Sequence, residues 1–177
     1  SHALVRQESY KNGKLHGEWL RWHTNGTKAV QLAYKNGKRH GTNTRWYESG
    51  NIEYLAKFED GKEQGAIFSW YDDDGVSIKS KYQYKNGKLH GKSVEFNQAG
   101  RKILESNWAN DRSNGKSITW YDSGRKQHEN NFKNGRECGK ETLWYRDGKK
   151  WEENYYINGE CITEKTYYRE YYKWKKV

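Results

Sequence analysis

Tyr10-Lys-Asn-Gly-Lys-Leu-His-Gly17 returns as Tyr34-Lys-Asn-Gly-Lys-Arg-His-Gly41 and again as Tyr84-Lys-Asn-Gly-Lys-Leu-His-Gly91. Weaker copies open at Phe58, Trp108, Phe132 and Tyr156, so the steps between opening aromatics are 24, 24, 26, 24, 24 and 24 residues. Nearly the whole chain is therefore seven copies of one unit, the last degenerate. The wide step holds an extra Asp in Asp72-Asp73-Asp74 and one further residue near Gln83. Glycine recurs at three places in a unit, as at Gly13, Gly17 and Gly26, and a ring stands five residues beyond the second: Trp22, Trp46, Trp70, Phe96, Trp120 and Trp144.

Glycines about a dozen residues apart, flanked by Trp, Tyr, Thr and Ile, read as strand, turn, strand, turn. A helical repeat would need long glycine-free stretches of 3.6 periodicity, and none exists. Before the third glycine stand Glu48-Ser49, Gln98-Ala99, Asp122-Ser123 and Arg146-Asp147. Positive φ at Ser or Ala is costly, so the spacing predicts a three-residue loop closed by a left-handed Gly. Extending the same loop to Lys-Asn-Gly gives strands of about 10 and about 8 residues. Parity then places the opening aromatics with Trp22, Leu20, Phe68, Val94 and Ile118 on one face. The other face receives Trp19, Ile67, Ile103, Trp151 and a column of Tyr47, Tyr71, Tyr121 and Tyr145. The expected fold is all-β, an elongated, twisted antiparallel meander of about seven β-hairpins over residues 8–166. An extension (1–7) precedes it, and an aromatic, basic segment (167–177) caps the open end.

Composition supports a folded chain only because of its rings. Leu, Ile, Val and Phe together number 24 of 177 residues and the net charge is +10, a balance typical of disorder. Yet 9 Trp, 15 Tyr and 4 Phe bury far more surface per residue than aliphatics do. Proline is absent, and no apolar run approaches the ~18 residues of a membrane-spanning helix.

The pattern Tyr-Lys-Asn-Gly-Lys-Leu-His-Gly-x-Trp-x-x-Trp-x-x-Asn-Gly resembles the bacterial variant of the MORN repeat. Chains built of tandem copies are commonly grouped as YwqK-type antitoxins of toxin–antitoxin systems. The resemblance covers about residues 8–160. It implies successive β-hairpins in one sheet and a non-enzymatic binding protein, the neutralising partner of a toxin. Departures are Asp111 in place of Gly, the widened third unit and the tail.

His16, His40 and His90 occupy one column, filled elsewhere by Gln64, Asn114 and Cys138. Equivalent residues lie two strands, about 9.5 Å, apart, too far to share an ion held at about 2.0–2.3 Å. The column is read as hydrogen bonding beside the turn, with no metal, and His23 and His128 as surface residues. Cys138 and Cys161 fall on opposite faces and read as free thiols, leaning toward a reducing, cytoplasmic compartment. The acidic run Asp72–Asp74 lacks the alternate spacing of a calcium loop. No catalytic constellation, phosphate-cradling loop or cofactor fingerprint occurs.

Basic residues are spread at about one per turn (Lys14, Lys38, Lys62, Lys88, Arg112, Arg136), which serves mainly to block edge pairing. Nucleic acid is disfavoured because the rings needed for stacking are those needed for the core. A protein partner, with toxin neutralisation as the specific case, is the favoured reading. An anionic membrane or cell-surface module is the alternative, and open sheet ends leave dimerisation open. Tyr47, Tyr71, Tyr121 and Tyr145 are the expected partner-binding residues, since Tyr and Trp beside Arg carry most interface energy.

Overall fold

A computed structural model describes residues 5–73, 76–163 and 166. Asp74 and Gly75 of the widened turn, and the expected cap at 167–177, lie outside the described residues. Among the described residues the strands number eighteen, and the pairings traced below are antiparallel. Two compact units are present: Ser1–Leu89 with Gln98–Gly100, and His90–Asn97 with Arg101–Val177.

The first unit carries β1 (Arg6–Lys11), β2 (Lys14–Trp22), β3 (Lys28–Lys35), β4 (Lys38–Arg39), β5 (Gly41–Trp46), β6 (Ile52–Glu59), β7 (Lys62–Trp70), β8 (Ile78–Lys85) and β9 (Lys88–Leu89). The second carries β10 (Gly91–Phe96), β11 (Lys102–Ala109), β12 (Arg112–Ser113), β13 (Gly115–Trp120), β14 (Lys126–Lys133), β15 (Arg136–Glu137), β16 (Gly139–Trp144), β17 (Lys150–Ile157) and β18 (Glu160–Ile162). Within each unit consecutive strands form antiparallel hairpins, with β4 and β5 both pairing β3, β12 and β13 both pairing β11, and β15 and β16 both pairing β14, the hairpin meander expected from the repeats.

The two turns of a repeat differ. The loop at Glu48-Ser49-Gly50 has three residues: Tyr47 N–H donates to Asn51 O (2.9 Å), Gly50 N–H donates to Tyr47 O (3.0 Å), and Gly50 has φ 93°. The Asn-Gly turn has two. Lys35 pairs with Lys38, and both Asn36 (φ 52°) and Gly37 (φ 83°) are left-handed, the type I′ turn that Asn-Gly favours. The three-residue loop expected there is therefore corrected, and with it the faces, because a one-residue change of register exchanges them. Tyr34 stands opposite Gly17 and Leu32 opposite Trp19. The opening aromatics thus share a face with Trp19 and Ile67, while Leu20, Trp22, Phe68 and Trp70 lie on the other.

On the first face, Ala56, Phe58 and Ile67 form a buried cluster against Tyr54 and Tyr84, with Phe58 only 3% exposed. Arg39 and Arg45 lie over Phe58 and Tyr54 at 5.3 and 5.2 Å from the ring centroids. The second face covers its rings with lysines: Lys28 over Trp46, Lys81 over Phe68, Lys102 over Trp120 and Lys126 over Trp144, at 5.3–5.6 Å. Long ammonium side chains lay an apolar stem on a ring and keep their charge in water, so each sheet face is shielded without a second layer. In the second unit these lysines belong to a ladder that repeats every 24 residues. Glu105 holds Lys92 and Lys102, Glu129 holds Lys116 and Lys126, and Glu153 holds Lys140 and Lys150, all within 2.5–2.8 Å.

Candidate binding surfaces

The tyrosine column stands at the mouth of the three-residue loops, one residue past the strand ends. Tyr47 donates its hydroxyl to Trp70 O (2.8 Å) and Tyr121 to Trp144 O (2.7 Å). His23, at the same repeat position, bonds Trp46 O through Nε2 (2.9 Å). These side chains staple each repeat to the next. Tyr47, Tyr71 and Tyr121 are half-buried, with Lys79 over Tyr71 and Arg146 over Tyr121 at 5.7 and 5.1 Å. Tyr145 is 52% exposed and stacks on Trp151, itself 58% exposed, with centroids 5.8 Å apart.

Histidine and its substitutes do the equivalent work at the opposite end of the repeat. His16 Nδ1 accepts from Asn36 N–H (3.4 Å), Gln64 Oε1 from Asn86 N–H (3.1 Å), and Asn114 Oδ1 from Asn134 N–H (3.2 Å). The turn glycines add bonds to the preceding repeat, as Gly37 N–H to Leu15 O (2.7 Å). The column is thus a structural tie between successive Asn-Gly turns. His128, expected as a surface residue, is instead half-buried and bonded through Nε2 to Glu141 Oε1 (2.6 Å). Glu141, 8% exposed, also accepts from Asn154 Nδ2 (3.0 Å) and Tyr156 Oη (3.2 Å). Burial alone would raise its pKa, but the Asn154, His128 and Tyr156 contacts hold it below the ordinary value. Burial and this carboxylate push the Tyr156 hydroxyl up to about 12. Glu141 occupies the repeat position of Ile67, so a satisfied carboxylate stands where the first unit has a core aliphatic. Cys138 and Cys161 are both free thiols, and burial raises the pKa of Cys138.

Each repeat also carries a β-bulge opposite its Trp22-type ring. Arg45 pairs with Tyr54 and Trp46 with Ile52, leaving Glu53 as the extra residue. At the equivalent place Leu143 pairs with Glu152 and Trp144 with Lys150, leaving Trp151. Bulges re-aim side chains, and here the bulged residues line clefts beside the loops. In the first unit a cleft of about 300 Å³ is bounded by Arg21, Arg39, Arg45, Trp19, Trp46 and Glu53 over Val30 and Leu32. In the second, a cleft of about 240 Å³ is bounded by Thr119, Tyr121, Gln127, His128, Leu143, Trp144 and Trp151. Every residue of the second cleft has a counterpart four repeats earlier in the first: Arg21 for Thr119, His23 for Tyr121, Arg45 for Leu143, Glu53 for Trp151. One scaffold has been lined once with cations and once with rings.

Of the four expected residues, the structure brings Tyr121 to the rim of the aromatic cleft and places Tyr145 against Trp151, another of its lining residues; Tyr47 and Tyr71 line neither cleft. Sequence reasoning missed the arginines and the bulged Trp151. The arginine signal was present, since Arg21 and Arg45 fall at one repeat position.

Three stretches, residues 15–36, 39–60 and 137–158, match the MORN repeat variant. Each begins two residues past an Asn-Gly glycine and ends at the Asn or Asp of the next turn, in phase with the structural repeat. MORN repeats are in general non-enzymatic binding repeats, and the three matches suggest a repeat-type binding module. No curated protein matches the chain.

Proposed function

We propose that the chain captures a protein partner through the aromatic cleft of its second unit, as an antitoxin or immunity protein captures a toxin. The observation that carries this reading is the exposed Tyr145–Trp151 stack beside the cleft rimmed by Tyr121 and Trp144. Two large rings, each more than half exposed and stacked on one another where most rings of these repeats are covered by a cation or a neighbour, are the composition of an interface centre. Rigid rings also present area at low entropic cost. The bulge that exposes Trp151 supplies the geometry.

The test is co-expression with the product of the adjacent open reading frame. A stoichiometric complex that survives about 0.5 M salt, as contact through apolar rings should, is the expected result. Tyr145→Ala with Trp151→Ala should abolish capture while the circular dichroism spectrum stays unchanged. A complex that dissolves in salt and forms equally well with the double variant would overturn the reading.

A further inference from the structure

Among the described residues the side chains of Arg21, Arg39 and Arg45 form no ion pair and donate no hydrogen bond, though all three bound one cleft. Arg21 and Arg45 both stand opposite Val30, one from each side, so their Cα atoms are about two strand spacings, 9.5 Å, apart. Arg39 lies on the same side of β3 as Arg45, opposite Tyr34 four residues further along that strand. The floor between them is apolar, made by Val30 and Leu32, with Trp19 as a wall. Arg39 and Arg45 are already laid on the rings of Phe58 and Tyr54, which fixes their planes and lowers the entropy lost when a carboxylate engages the fork.

We infer that this cleft of the first unit docks an extended acidic segment of the protein partner, its carboxylates on Arg21, Arg45 and Arg39 and its apolar side chains on Val30 and Leu32. The inference rests on reading the chain as a protein-binding module and names the chemistry of what it binds. A single-stranded nucleic acid fits less well. Bases need open ring faces, but Trp46 already carries Lys28 at 5.3 Å, and Trp19 is held by its Nε1–H to Glu8 (2.7 Å). Glu53 on the wall and Glu8 beside Trp19 would also repel a continuous polyphosphate, whereas separated carboxylates interleaved with apolar groups avoid them. An acidic partner also suits a chain of net charge +10.

The experiment titrates the full chain with a fluorescent peptide of alternating Glu and Leu, its Gln isostere, and oligothymidylate of equal length. Saturable binding of the Glu peptide, weakened at least about tenfold by Arg21→Glu and by Arg45→Glu, is expected. The Gln isostere should not bind. Arg21→Ala provides a second variant that cannot be dismissed as misfolded, because Arg21 contacts no ring and no acid; it should weaken the Glu peptide severalfold. Equal binding of the Gln isostere, indifference to all three variants, or tighter binding of oligothymidylate lost in the same variants would each overturn the inference. Because these substitutions leave the aromatic cleft intact, a partner that still binds Arg21→Glu at full strength but not the Tyr145/Trp151 double variant sinks this inference alone.

Discussion

Phe58 and Phe68 are ten residues apart, identical in chemistry and on opposite faces of the same sheet, which makes them a direct assay of the register. Phe58 is 3% exposed within a cluster of Ala56, Ile67, Tyr54 and Tyr84 and is covered by Arg39. Removing its ring leaves a cavity walled by groups that cannot collapse without moving the backbone, so Phe58→Ala should cost about 3–5 kcal/mol. Phe68 is only half-buried, stacked on Trp70 at 5.7 Å with Lys81 above it. Its loss exposes no enclosed cavity. It forfeits part of the transfer energy, a stacking contact of about 0.5–1.5 kcal/mol and a cation–π contact of about 0.5–1 kcal/mol at an exposed site. The two ring contacts alone sum to about 1–2.5 kcal/mol and the forfeited transfer energy adds to them, but with no cavity contribution the total should stay below the Phe58 value. Urea titrations followed by circular dichroism would measure both. Equal costs, or a larger cost at Phe68, would refute the assignment of the core to the face of the opening aromatics.

Tyr121→Phe removes the hydroxyl bonded to Trp144 O while keeping the ring, so it should lower stability by about 0.5–1.5 kcal/mol and leave partner affinity unchanged; isothermal titration beside a urea melt checks both halves. Gly41→Ala combines φ 101° with a new Cβ at 3.3 Å from Ala33 Cβ, and should cost more than the roughly 1–2 kcal/mol of a left-handed alanine alone; Gly50→Ala, at φ 93° with open space around it, is the control that shows only the backbone part. Acid should unfold the second unit through its carboxylates. Lys102 and Lys92 hold Glu105 below 4.5. At Glu129 burial acts upward but Lys116 and Lys126 prevail, and Lys140 and Lys150 hold Glu153 low. A depressed folded-state pKa contributes stability that is whole above the unfolded value and is lost as pH falls through the folded one. The melting temperature should therefore hold between pH 7 and about 5 and fall below about 4.5, with a shallower fall in Glu129→Gln; a melting temperature that rises on acidification contradicts the ladder.

The repeat, the strand class and the three-residue loop were legible because each is written in residues whose backbone needs are strict. Ser49 and Ala99 exclude positive φ, and Gly50 and Gly100 supply it. The Asn-Gly turn was misjudged by analogy with that loop, although Asn36 is one of the few residues that tolerates a left-handed conformation and Asn-Gly is the strongest two-residue turn signal. That single residue of loop length carried every face assignment with it. The bulges were not legible at all. Nothing in the local composition around Glu53 or Trp151 announces an extra residue, because the bulge arises from fitting a three-residue loop to an antiparallel ladder. The clefts they line therefore stayed hidden, and with them the arginine row. The histidine column was readable because the distance between alternate strands is fixed whatever the side chains do.

Bonds at the two ends of the repeats help explain how so few aliphatics suffice and why the middle of the sheet is free to vary. At one end His16, Gln64 and Asn114 tie successive Asn-Gly turns; at the other His23, Tyr47 and Tyr121 tie successive loops through main-chain carbonyls. With stacking fixed at the ends, the central position of the first face can be Trp19, Asn43, Ile67, Ser93, Ser117 or Glu141 without change of fold. The same freedom lets one cleft be lined by Arg21 and Arg45 and its counterpart by Thr119 and Leu143. Only nearest neighbours need to agree in a repeat array, so partner chemistry can be rewritten one repeat at a time. The buried amide of Asn43, 2% exposed with its Nδ2 lacking a partner while its Oδ1 accepts from Ala33 N–H, is where that latitude is stretched furthest. An unpaired donor there costs stability that the end-to-end ties must offset.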